Sequence, residues 1–179
     1  MTVMFCDLVE STPLASRLDP EELAETIGAY RRCVADAAAR FDGFVAQHSG
    51  DGVLAYFGYP HAHEDDAERA VRAALAVVDS VERLLPRRDD ALRVRIGIAS
   101  GLAVVGDIAG GRTAPEWDVA GEVPSLAARL QAVAGPNRIV VAPGTRKLIG
   151  TLFRLRDLGA VALKGFSEPV RAWEVLGAR

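Results

Sequence analysis

The chain has 179 residues, 50% of them apolar, enough for one domain over residues 1–179 with a real core. Its 21 basic and 24 acidic residues are interspersed and leave a formal net charge of −3, so no extended basic face points to a nucleic-acid partner. No apolar stretch approaches the roughly 18 residues that cross a bilayer, and no basic region followed by an apolar leader opens the chain; the expectation is a cytoplasmic protein with no membrane segment. Cys6 and Cys33 have neither metal-ligand nor redox spacing and are expected to be buried free thiols.

In chain order, the first strand runs through Val3, Met4, Phe5 and Cys6 and starts almost at Met1, abruptly for a strand inside a sheet; upstream sequence is either missing or never existed. Asp19-Pro20-Glu21-Glu22 combines an N-cap aspartate, proline at the first helical position and a glutamate three residues after the cap. The helix after this cap carries Leu23, Ile27, Tyr30, Val34, Ala37, Ala38 and Phe41 on one apolar face, and Asp42-Gly43 ends it. Residues 44–46 and 53–57 are two apolar runs around Gln47-His48-Ser49-Gly50-Asp51-Gly52, a hairpin with Asp51 at its tip. His61-Ala62-His63-Glu64-Asp65-Asp66 opens a second helix running to about residue 85; acidic residues are expected at a helix's positive end, which explains them without a metal.

Residues 92–99 alternate like a strand, and residues 102–105 after Ser100-Gly101 predict a hairpin partner for it. The glycine-rich stretch 106–115 lacks the Gly-Lys-Ser/Thr ending of a phosphate-cradling loop and reads as a connection. A helix at 122–133, a strand at 139–141, a short helix at 145–148 and strands at 153–158 and 170–176 complete the chain. Helices alternating with tight hairpins in the order βαββαβ predict an α+β, ferredoxin-like sandwich, a mostly antiparallel sheet covered by helices.

Asp51 alone reads as turn chemistry, because aspartate accepts local backbone hydrogen bonds. A second aspartate, Asp7, ends the first strand before a small, polar loop, and the two belong to strands able to lie side by side. Phe5-Cys6-Asp7-Leu8-Val9-Glu10-Ser11-Thr12 and Gly50-Asp51-Gly52 resemble the two metal-binding segments of the class III nucleotidyl cyclases, the adenylate and guanylate cyclase catalytic domain. Residues 117–130, from Trp117-Asp118 to Arg129-Leu130, resemble that family's arginine-bearing helix, and Leu163-Lys164-Gly165-Phe166 its phosphate-side strand. These segments occur in the family's order over nearly the whole chain.

The resemblance implies the ferredoxin-like core with a C-terminal α/β extension, and a reaction in which the ribose 3′-hydroxyl of ATP attacks the α-phosphate and expels pyrophosphate. It implies two divalent cations, Mg2+ or Mn2+, held by Asp7, the Leu8 carbonyl and Asp51; two such ions about 3.5–4 Å apart activate the hydroxyl and clamp both oxygens. Val9, Glu10, Ser11, Thr12 and Lys164 would hold phosphate, and Arg129 would stabilise charge on the α-phosphate. A head-to-tail homodimer is implied as well, with composite sites that take metal aspartates from one chain and base-reading residues and Arg129 from the other.

Base and ribose recognition depart from the family pattern. Gln47 and Asp118 stand at the base-reading positions, and Gln47 replaces the lysine of ATP-specific relatives; its amide both donates and accepts, so GTP is a second candidate substrate. Ser125 stands where an asparagine binds ribose, and Glu10 adds a carboxylate beside a polyanionic substrate. Losing one positioning hydrogen bond costs about 1–3 kcal/mol, so weakened activity is expected. The alternative is a catalytically silent cyclase-like regulatory module that binds nucleotide or a partner protein.

Overall fold

Helix α1 (Pro20–Arg40) begins as its sequence predicts: the Asp19 carboxylate accepts from the Glu22 amide at 2.8 Å and proline occupies the first turn. The structure, a computed structural model of the chain, describes residues 1–9, 16, 18–49, 52–84, 92–102, 104–105, 119–120 and 122–179. The expected sites Glu10, Ser11, Thr12, Asp51 and Asp118 lie outside the described residues, as do the connections 86–90 and 106–115.

Strand β1 (Thr2–Leu8) lies between β3 (Gly52–Phe57) and β4 (Val94–Ser100), antiparallel to both, and β2 (Phe44–Ser49) closes the hairpin with β3. With α1 and α2 (Asp66–Glu82) this is the expected βαββαβ core in the order β2-β3-β1-β4. The extension adds β7 (Arg138–Val141) parallel to β4, then β9 (Val170–Ala178) and β8 (Phe153–Val161), making seven strands. Helix α4 (Pro143–Ile149) starts earlier than the pattern predicts, with proline in its first turn.

Alternation along β1 divides the core. Met4, Cys6 and Leu8 join Tyr30 and Val34 of α1 and Val71 and Ala74 of α2 on one side of the sheet. Val3 and Phe5 join Val123, Ala127 and Leu130 of helix α3 (Glu122–Val133) on the other. In the extension, buried Glu174 on β9 is held by Arg138 of β7 at 3.2 Å and by Arg156 of β8, tying the strands on either side of it.

Two expectations need correction. The predicted hairpin between β4 and residues 102–105 does not form; β5 (Val104–Val105) pairs instead with β6 (Val119–Ala120) in a separate ribbon. Both edges of β4 are already taken, one by β1 and the other by β7, so no ladder was open to a hairpin partner. The second helix begins at Asp66, with Asp65 at its N-cap, and not at His61; the Asp66 carboxylate reaches back to accept from the His63 amide at 2.9 Å, holding the chain just before the helix. Asp65 accepts from Arg69 Nε at 2.8 Å, one turn along.

Cys6 is fully buried, and desolvation, with the Asp7 charge adding to it, pushes its thiol far above the ordinary range. Cys33 is half-buried rather than buried as expected; its thiol is raised less, by burial and by Asp36. A thiol-alkylating reagent on native protein should therefore mark Cys33 slowly and leave Cys6 untouched until denaturant is added. Peptide mass spectrometry reads the result, and native labelling of Cys6 would contradict the burial of β1.

Candidate active site

Asp7 sits near the C-terminal end of β1, half-buried, with its Oδ1 accepting from the Leu8 amide at 2.9 Å. Leu8 itself is buried, so its side chain serves the core and only its backbone is offered to a ligand. The Val9 amide donates to the Arg93 carbonyl at 2.8 Å, which fixes the residue that follows β1 against the start of β4. On the other flank Cys6 is paired with Val53, one residue from Gly52, the chain neighbour of Asp51. The ladder thus brings Gly52, the first residue of β3, to the Asp7 end of the sheet. Gln47 stands in β2 opposite Leu54, after a register shift between Val45 and Gln47.

Arg95 is a residue that sequence reasoning misses. It is the β4 partner of Asp7 in the ladder, and its Nε is buried without a hydrogen-bond partner among the described residues. A buried guanidinium nitrogen left unpaired is costly, and an anionic ligand beside it would relieve that cost. The only signal in the sequence is an arginine inside an otherwise apolar strand; its pairing with Asp7 depends on register, which the pattern does not carry. The Asp7 carboxylate suits a hard divalent cation, and Arg95 suits the phosphate that accompanies one.

The remaining expected residues lie elsewhere. Ser125 and Arg129, four residues apart on α3, are both exposed on the stripe opposite Ala127 and Leu130, which pack on the sheet. Arg129 has no ion-pair partner among the described residues and points away from the sheet that carries Asp7. Lys164 is exposed in the β8–β9 connection, anchored by buried Leu163 on the α3 side of the sheet. Between the first turn of α3 and that connection lies an open cleft of about 640 Å³, lined by Glu122, Phe166, Ser167, Arg171 and Trp173 among others.

One chain does not bring the start of α3 to Asp7. The start of α3 is placed by Val123 against Gly101, just past the end of β4, whereas Asp7 faces Arg95 near its beginning. Six residues of extended chain separate those levels, roughly 20 Å at about 3.3 Å per residue.

Residues 1–176 match the model of the adenylate and guanylate cyclase catalytic domain. The chain belongs to that family. A cyclase of this class from P. aeruginosa, the adenylyl cyclase CyaB, has a crystal structure that superimposes with a TM-score of 0.90 at 30% identity, covering 99% of this chain and 94% of that one. Among curated proteins, an uncharacterized protein of Rhizobium meliloti is 35% identical over 99% of this chain, and adenylate cyclase 1 of the same organism is 30% identical over 99%. The cyclase domain spans 17% and 27% of the lengths of those two relatives. Among the described residues no helix is long and apolar enough to cross a membrane.

Proposed function

We propose that this domain, residues 1–179, is a cytoplasmic, metal-dependent nucleotidyl cyclase that converts ATP to cyclic AMP and pyrophosphate. The observation that carries this reading is the pairing of Asp7 with Arg95 in the β1–β4 ladder at one end of the sheet, an acidic residue opposite one whose guanidinium Nε is buried without a hydrogen-bond partner among the described residues. Such a pair recognises a metal-bound polyphosphate from both sides, by its cation and by its anion.

Asp7, the Leu8 carbonyl and Asp51 would hold two divalent cations, Mg2+ or Mn2+. When bound these supply a lowered hydroxyl pKa and charge neutralisation at the leaving pyrophosphate. Arg95, the backbone from Val9 through Glu10, Ser11 and Thr12, and Lys164 hold the phosphate chain so that the 3′-hydroxyl lies in line with the leaving group. Arg129 stabilises the charge that gathers on the α-phosphate, Gln47 and Asp118 read the base, and Ser125 meets the ribose. Because Asp7 lies at one end of the sheet and Ser125 and Lys164 at the other, we assign the complete site to a head-to-tail homodimer, each chain supplying one half.

The test is cyclic nucleotide formation from ATP and from GTP, each with magnesium and with manganese. Product from ATP at a rate that requires the metal supports the reading. No product from either nucleotide, with nucleotide binding retained, favours the silent module, a rival supported by the short side chain of Ser125 at the ribose position. Gln47→Lys should raise the ATP-over-GTP ratio of kcat/KM by about tenfold, because a fixed cationic donor no longer rotates to suit guanine. An unchanged ratio would remove Gln47 from base reading.

A further inference from the structure

Gly97 on β4 is the point at which the sheet and α3 touch backbone to backbone. A Cβ built on it would overlap the Ala127 carbonyl oxygen and the Gln131 amide nitrogen, and it would stand 3.1 Å from the Gln131 Cα. Those two atoms lie four residues apart on one turn of α3, and Arg129 is midway between them on the opposite side of the helix. No side chain intervenes to yield; the helix itself would have to rise.

We propose that Gly97 is a positioning residue for the cyclase reaction: its missing side chain sets how far α3 stands off the sheet, and so where Arg129 is presented. This rests on the reading of Arg129 given above. Gly97 is two residues from Arg95 on the same strand and faces Phe5 on β1, two residues from Asp7, so its alternation places it in the row that carries the metal end. The strand that holds the phosphate end in one direction thus also sets the height of the helix that completes the partner's site. Flanking residues reinforce the contact: Ala127 is fully buried, small enough for the close approach, and Leu130 packs beside it.

Gly97→Ala should lift α3 and lower kcat about a hundredfold, the loss expected when a reacting group is displaced by about 1 Å. A general loss of folding would lower activity too, so the decisive readout is complementation between chains. Mixed with Asp7→Ala, the Gly97→Ala chain keeps a sound metal half and its partner keeps a sound Arg129 half, and activity should return. Mixed with Arg129→Ala, both chains lack a sound Arg129 half, and activity should stay absent. Should Gly97→Ala fail to fold, Ala127→Val raises the same helix from its own side, and the same pattern is expected.

Full activity of the Gly97→Ala chain alone, rescue by Arg129→Ala, or rescue by neither partner would each overturn the proposal. The control mixture of Asp7→Ala with Arg129→Ala separates the two levels. If it is active while Gly97→Ala is not rescued by Asp7→Ala, only the positioning role fails; if it is dead, the composite site fails and the positioning role with it.

Discussion

Asp7→Ala is expected to lower cyclic nucleotide formation by about 10³-fold or more, since removing a metal carboxylate forfeits several kcal/mol of charge stabilisation in the transition state. The fold should survive. Asp7 is half-buried at a strand end and bonds locally to the Leu8 amide, so losing the side chain costs about 1 kcal/mol. For a domain of this size that moves the melting midpoint by about 2–4 °C. Asp51→Ala should have the same effect on activity. The measurement is initial rate with saturating manganese, with a thermal melt alongside; near-normal turnover that still requires metal would remove the residue from the site.

Mixing two inactive proteins gives the second large effect. Asp7→Ala and Arg129→Ala should each be inactive alone at every concentration, yet an equal mixture that exchanges subunits freely should recover about a quarter of the wild-type sites. Half of the dimers are then mixed, and in each mixed dimer one site inherits both defects while the other inherits neither. The single-chain geometry motivates the experiment: Arg129 is exposed on the outer side of α3, away from the sheet that holds Asp7. An inactive mixture in which a labelled-chain assay demonstrates exchange would mean that these residues do not serve one site from opposite subunits.

The parts of this molecule that are readable from sequence are those decided within a few residues. The Asp19-Pro20 cap and the apolar run of β1 act locally and appear where expected. Pairing is not local. Val104-Val105 looks like the return strand of a hairpin, and only the presence of β1 and β7 on the two edges of β4 rules that out. Arg95 escapes notice for the same reason, because its meaning comes from facing Asp7 across a ladder whose other strand lies more than eighty residues earlier. Gly97 reads as an ordinary strand residue, and its significance lies in a helix that arrives thirty residues later.

The distance between the two ends of the sheet has a mechanical consequence. In the composite arrangement, the ribose-binding start of α3 stands at the tip of a lever roughly 20 Å long from the metal end. A rigid-body turn on the order of 15°, a size known from subunit switches, would carry that tip by about 5 Å. That is ample to take the groups that hold the ribose out of register with those that hold the metal-bound phosphates, without disturbing a single bond inside either chain. Torque applied from outside the domain would then act as the throttle, with the catalytic groups themselves remaining rigid.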